Sequence, residues 1–262
     1  MDIPALLKVA LDAVELGSKL FVERQSDLNV SGKGVRDIVT NVDLEIERTL
    51  QEFLSRSAPT VGFMGEEYGG SIAEQGCWVL DPIDGTVNYA QGIPLCGISL
   101  AYVQDGHAQI GVIAIPSTGE IFHAVREGGA FCNGEQLNIR GEEGMQTAVI
   151  ACGDFPTDPQ RVADYEVAVR AQASLAQMVL RIRMFGSAAI DLVYLASGRI
   201  SASITWSNRP WDVQAGVLIA SEAGAIVLGA DGEPHTLDSR YTIATIPNLV
   251  EPLMSVIQGA RV

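Results

Sequence analysis

The chain has 262 residues, of which 47% are hydrophobic and 19% charged, and its formal net charge is −15. That length supports a substantial buried core, and the composition is that of a compact globular enzyme, without a disordered tract or a repeat. The acidic balance and the lack of a basic patch argue against nucleic-acid binding, and no apolar stretch is long enough to span a bilayer.

The first element reads as an amphipathic helix, with Leu6, Ala10, Ala13, Val14, Gly17, Leu20 and Phe21 at helical spacing. Asp2 stands where a secretory signal has a basic start, and Asp12, Glu15 and Lys19 interrupt the apolar run, so the expected location is cytoplasmic. A loop is expected around Ser31-Gly32-Lys33-Gly34. Thr40-Asn41-Val42-Asp43 then reads as a helix start, with Thr40 at the N-cap and Asp43 at the third position. Ile46, Leu50 and Phe53 or Leu54 continue its apolar face.

Val61 to Met64 is a short apolar run that ends on Gly65-Glu66-Glu67, and Cys77 to Leu80 is another that ends on Asp81-Pro82-Ile83-Asp84-Gly85-Thr86. Both read as buried strands that deliver acids at their ends. Gly97 to Val103, Ala108 to Ile115 and Glu120 to Val125 follow as antiparallel strands, separated by Asp105-Gly106 and Pro116-Ser117-Thr118-Gly119.

The second half mixes types. Ala148 to Cys152 suggests a strand and Arg161 to Leu180 a helix. Gly186-Ser187-Ala188-Ala189 opens a helix that runs to about Ser197, with Gly198 as its stop. Ile200 to Trp206 suggests a strand, and Pro210-Trp211-Asp212 opens a helix that ends near Gly224. Ala225 to Leu228 and Tyr241 to Ile246 read as strands, and Leu249 to Gly259 as a last helix. The order argues an α/β or α+β fold, with helix and sheet layers in both halves and no separating linker. A single domain over 1–262 is expected, with approximate halves 1–145 and 146–262.

The four cysteines, Cys77, Cys96, Cys132 and Cys152, are widely spaced and read as free thiols. The three histidines, His107, His123 and His235, form no zinc-binding spacing. Chemistry falls instead to three acidic clusters: Glu66 with Glu67, Asp81 with Asp84, and Asp212. Acids at element ends are held by rigid scaffold while facing a crevice, and hard cations such as Mg²⁺ take oxygen ligands. Asp81 and Asp84, in a loop tightened by Pro82 and Gly85, can face one centre, with a backbone carbonyl between them. Each cluster alone also has a structural reading, because Asp-Pro and Asp-Gly form turns and Asp212 can cap a helix.

The full set decides between these readings. Trp78-Val79-Leu80-Asp81-Pro82-Ile83-Asp84-Gly85-Thr86-Val87-Asn88-Tyr89 matches the element W-x-x-D-P-[IL]-D-G-T-x-N-[FY]. With it stand Asp37-Ile38-Val39-Thr40-x-x-Asp43, Gly65-Glu66-Glu67, Gly186-Ser187-Ala188-Ala189, Trp211-Asp212-Val213-Gln214-Ala215-Gly216 and Glu222-Ala223-Gly224. In these elements the chain resembles the inositol monophosphatase family of lithium-sensitive, Mg²⁺-dependent phosphatases. The resemblance implies a five-layer αβαβα fold, a homodimer, and two or three Mg²⁺ per active site. It implies one metal on Glu66, Asp81 and the Ile83 carbonyl, a second on Asp81, Asp84 and Asp212, and a weaker third on Glu66 and water. Asp43 and Thr86 would orient and help deprotonate the attacking water, and the amides of Gly85 and Thr86 would bind phosphate.

The substrate half departs from the pattern. Where the family often has a Glu that binds inositol, seven residues before Asp212, this chain has Thr205. Arg209 and Trp206 either shape another pocket or serve as a surface and a core residue. Ser187 either contacts substrate or caps the following helix, and Lys33 either approaches the phosphate or is a solvated loop lysine. The expected substrate is inositol monophosphate or a related small sugar phosphate. Fructose 1,6-bisphosphate, histidinol phosphate and nucleotide phosphates such as 3′-phosphoadenosine 5′-phosphate and NADP are the alternatives. Two further readings compete: an aspartyl-phosphate enzyme, for which the Asp81–Asp84 spacing is one residue too long, and a non-catalytic binding protein, against which the intact ligand set argues.

Overall fold

A computed structural model describes residues 1–34, 37–72, 75–139, 141, 144–156 and 159–261. Helix α1 (Ile3–Glu23) starts where Asp2 Oδ1 accepts the Ala5 amide at 3.0 Å, and it buries Leu6, Ala10, Ala13, Val14, Gly17 and Phe21 along one stripe. Strands β1 (Val30–Gly34) and β2 (Asp37–Thr40) form an antiparallel hairpin. The loop expected at Ser31 to Gly34 is therefore a strand. Its five residues are all exposed, so no buried face imposes an alternating pattern that a sequence would reveal.

Thr40 caps α2 (Asn41–Ser57) in a capping box with Asp43, as the spacing predicts. Then come β3 (Gly62–Gly65), β4 (Gly69–Gly70), β5 (Cys77–Asp84) and the short α3 (Thr86–Ala90). The long strands β6 (Gly97–Gln104) and β7 (His107–Ile115) lead to β8 (Glu120–Val125), β9 (Gly129–Cys132) and β10 (Glu135–Gln136). The second half holds β11 (Val149–Cys152), α4 (Val162–Met178), β12 (Arg181–Arg183), α5 (Ala188–Ala196) and β13 (Ala202–Thr205). It closes with α6 (Pro210–Glu222), β14 (Ile226–Leu228), β15 (Thr242–Thr245) and α7 (Val250–Gly259).

The large sheet runs β10-β9-β8-β7-β6-β5-β3-β4, antiparallel except where β3 lies parallel to β5. The small sheet runs β12-β11-β13-β15-β14, with β11 parallel to both of its neighbours. Helices α1 and α2 cover the outer face of the large sheet, α5 and α6 lie between the sheets, and α4 and α7 pack together on the far side. These are the five layers αβαβα. One apolar cluster fills the space under α1 and α2, around Leu50, Trp78, Leu80 and Ile98. The other joins both sheets through α5 and α6.

Strand β5 places the chemistry. It is buried along its whole length, which explains its unbroken apolar run. Pro82 has no amide to donate, and the β5–β6 register slips there: Asp81 pairs with Ser99, but Asp84 pairs with Gly97. Residues three apart on a regular strand face opposite sides. The extra residue of this bulge lets Asp81 and Asp84 face the same cavity.

Candidate active site

Three element ends meet at a cavity of about 420 Å³. Strand β3 ends at Gly65, and the Glu66 amide donates to Leu80 O at 3.1 Å, tying this turn to β5. Strand β5 supplies Asp81, Ile83 and Asp84, and α6 supplies Asp212 in its first turn. Ser99 Oγ on β6 donates to Trp211 O at 3.1 Å, fixing the start of α6 on the large sheet. Glu66, Asp81, Ile83, Asp84, Gly85, Thr86, Arg209 and Asp212, all named from the sequence, line this one cavity.

The acids repel one another. Burial pushes the Asp81 carboxyl well above its ordinary range, and the charges of Glu66, Asp84, Asp212 and Asp43 add to the effect. Burial likewise raises Asp212, assisted by Asp84 and Glu66. Asp84 rises to about 6: burial drives it up against hydrogen bonds from the Ser187 hydroxyl at 2.7 Å and the Ala189 amide at 2.5 Å. Asp81 Oδ1 accepts the Ile83 amide at 3.0 Å. Lys33, on the hairpin, donates to Glu66 Oε1 at 3.0 Å and to Glu67 Oε1 at 2.9 Å.

Behind the cavity wall, Asp43 on α2 is fully buried. Its Oδ1 accepts the Thr86 hydroxyl at 3.2 Å, and its Oδ2 accepts the Thr40 amide at 2.9 Å. Thr86 Oγ1 also lies 3.0 Å from Ile83 O, so its proton is shared between two acceptors. Burial raises the Asp43 carboxyl despite these bonds. Gly85 has φ 91°, and a Cβ there would lie 3.0 Å from Leu95 O and 3.2 Å from Gly186 O. Only glycine fits this left-handed turn at such close approach. Asn88 Nδ2 bridges Leu95 O and Phe185 O at 2.7 and 2.6 Å, joining the β5 loop to the loop before α5.

Two residues expected at the substrate do not line the cavity. Ser187 caps α5, accepting the Ile190 amide at 3.2 Å, and its hydroxyl proton goes to Asp84. Thr205 is buried on β13, and its hydroxyl has no partner among the described residues. Arg209 does line the cavity: its carbonyl accepts the Asp212 amide at 3.1 Å, while its exposed guanidinium makes no hydrogen bond or ion pair among the described residues and its charge acts on Asp212. Asp37, Asn88, Asp154, Met184 and Phe185 are among the other residues of the wall, and no signal in the sequence marks them as contacts. Asp154 follows the end of β11 and Gly153, a turn-like setting that carries no specific signal.

Among the described residues no three carboxylate, imidazole or thiol groups close on one point as a formed metal-binding group. Glu66 is turned toward Lys33, and one Asp84 oxygen is held by the start of α5. The donor set nevertheless fits a hard divalent cation: all-oxygen ligands, buried or half-buried, whose mutual repulsion a cation relieves.

The sequence profile of the inositol monophosphatase family matches residues 4–258. The inositol-1-monophosphatase ImpA of Mycolicibacterium smegmatis is 33% identical over 257 residues, covering 97% of this chain and 92% of that protein. The fructose-1,6-bisphosphatase/inositol-1-monophosphatase of Thermotoga maritima is 34% identical over 218 residues, covering 82% and 80%. The crystal structure of the extragenic suppressor protein suhB from Bartonella henselae superposes with a TM-score of 0.90 at 30% identity, covering 97% of this chain and 98% of that one. Fold, site and relatives define a phosphatase, a hydrolase of phosphate monoesters, of a type that depends on a divalent metal. The chain belongs to the inositol monophosphatase family.

Proposed function

We propose that the protein is a Mg²⁺-dependent phosphatase of inositol monophosphate or a related small sugar phosphate, acting by direct attack of water on phosphorus. The convergence of Glu66, Asp81, Asp84, Asp212 and Thr86 on one cavity carries this reading. Glu66, Asp81 and the Ile83 carbonyl suit one cation, Asp81, Asp84 and Asp212 a second, and Glu66 with water a weaker third. When bound, Mg²⁺ neutralises the phosphoryl charge and lowers the pKa of water.

The remaining work belongs to the chain. Thr86 Oγ1 faces the cavity with Asp43 behind it. A water placed by Thr86 attacks phosphorus, passing its proton to the Thr86 oxygen while the Thr86 proton moves to Asp43. The raised Asp43 carboxyl makes it a stronger base than an exposed aspartate. The P–O bond to the leaving alcohol breaks, and the alcohol takes a proton from solvent. The Gly85 and Thr86 amides, at a helix start where they lack helical partners, hold phosphate oxygens. Helix α3 has five residues, so this contact rests on amide geometry more than on a helix dipole.

A second substrate reading is supported by Arg209. An exposed guanidinium with no hydrogen-bond partner among the described residues, on the wall of an acidic cavity, suits a second anionic group, as in fructose 1,6-bisphosphate. Lithium inhibition, a homodimer and a cytoplasmic location complete the proposal. The experiment is phosphate release from a panel of inositol, sugar and nucleotide phosphates with Mg²⁺. Preference for inositol or hexose monophosphates supports the first reading, and preference for bisphosphates, lost in Arg209→Ala, supports the second. No release from any ester refutes both and favours a binding role.

A further inference from the structure

We infer that Glu47 is a positioning residue for Glu66, fixing from α2 the turn that carries this ligand into the cavity. The inference rests on the assignment of Glu66 to a cation. Glu47 is fully buried, which is costly for a carboxylate unless its oxygens are hydrogen-bonded. Both are used. Oε2 accepts the Glu67 amide at 2.9 Å, and Oε1 accepts the Tyr68 amide at 2.8 Å. These are the two consecutive amides that follow Glu66. Charge-assisted bonds of this kind are stronger than neutral ones and fix direction as well as distance.

Gly65 shows how closely the backbone passes. A Cβ at Gly65 would lie 1.9 Å from Glu47 Oε1, so any side chain there displaces the carboxylate. The Glu66 amide is bonded to Leu80 O on the other side. The turn is thus held by β5 before Glu66 and by Glu47 after it, while the Glu66 side chain lines the cavity and pairs there with Lys33. Glu47 does not line that cavity and acts only through the turn.

Helix geometry gives the arrangement a purpose. Glu47 lies four residues after Asp43, so both carboxylates project from one face of α2. Asp43 holds Thr86 and Glu47 holds the Glu66 turn. One rigid helix therefore sets the spacing between the residue assigned to the water and a residue assigned to the metal. Partners that orient a ligand typically change metal affinity ~10–100-fold when removed.

The test is Glu47→Gln in the full chain. The amide keeps the shape and one acceptor but points an NH₂ group at one of the two backbone amides. Binding of Mg²⁺ alone, followed by calorimetry without substrate, is expected to weaken ~10–100-fold. Hydrogen exchange at the Glu67 and Tyr68 amides is expected to quicken, and turnover to recover at high Mg²⁺ with KM for the phosphate ester unchanged. If Glu47→Gln does not fold, Glu47→Asp keeps the charge but reaches only one amide, and the same loss of Mg²⁺ affinity is expected. Mg²⁺ affinity within twofold of wild type in a folded variant overturns the inference. Wild-type protein that neither binds Mg²⁺ nor releases phosphate removes the assignment of Glu66 itself, and the inference with it.

Discussion

Asp84→Asn is expected to stabilise the metal-free protein while nearly abolishing its activity. An unfolded aspartate ionises near 3.8, but in the folded protein the Asp84 carboxyl is raised to about 6. Burial is the main cause, opposed by the bonds from Ser187 and Ala189 and assisted by the charges of Glu66 and Asp154. A raised carboxyl favours folding below its unfolded pKa, and that advantage is lost as pH rises through its folded pKa. At about pH 8 the loss is complete, and the ionised group costs the metal-free protein about 3 kcal/mol. Asparagine keeps an oxygen for the Ala189 amide and carries no charge. Unfolding in EDTA at about pH 8 should therefore show Asp84→Asn more stable than wild type by about 1–3 kcal/mol, worth several degrees in Tm. The gain should shrink toward about pH 4, where both proteins are neutral at this site. With Mg²⁺ at about 1,000 times its Kd the order should reverse, because the cation then stabilises the wild type by about 4.1 kcal/mol and the variant gains much less. If the variant is no more stable than wild type in EDTA, or gains as much from Mg²⁺, the reasoning fails.

Thr86→Val should lower kcat by ~10²–10⁴ with little change in KM, because it removes the hydroxyl between water and Asp43; an unchanged kcat would exclude that relay. Gly85→Ala forces a left-handed turn on a residue with a Cβ, and about 1–3 kcal/mol of stability should be lost in urea unfolding, together with turnover. Asp164 is buried against Tyr241 at 2.5 Å and against Arg161 and Arg240 at 2.7 Å each. Burial raises its carboxyl, but these partners outweigh burial and hold it below the ordinary range, so its contribution is present above the unfolded pKa and lost as pH falls through the folded one. Asp164→Asn should cost about 1–3 kcal/mol at neutral pH, because the buried carboxylate loses charge-assisted bonds to partners that are themselves partly exposed, measured by urea unfolding, and less in strong acid.

The convergence of the β5 residues on one cavity was legible because these residues carry their geometry with them. Pro82 forces the bulge, Gly85 the left-handed turn, and the apolar run before Asp81 the buried strand. The rest depended on long-range packing. Ser31 to Gly34 gave no strand signal because none of its side chains is buried. Glu47 looks like an ordinary helical glutamate until the fold lays the turn after Gly65 over it; its spacing of four from Asp43 was the available clue. For Ser187 the local sequence fits either a cap or a substrate contact, and contact with Asp84 across 103 residues, invisible to any local pattern, places it behind the wall. The spacing of Thr205 from Asp212 points to the substrate, but its side chain is buried on β13 and does not line the cavity.

Under the proposed function, Glu66, Asp81, Asp84 and Asp212 hold the cations on which hydrolysis depends. The most direct measurement is phosphate release from inositol 1-phosphate by wild type and Asp212→Asn, after EDTA treatment and then across a Mg²⁺ titration. Wild type should fall silent in EDTA and recover with Mg²⁺, while Asp212→Asn should stay near background at concentrations that saturate wild type. Turnover that survives EDTA, or an Asp212→Asn variant that recovers along the wild-type curve, would show that these carboxylates do not hold a catalytic cation.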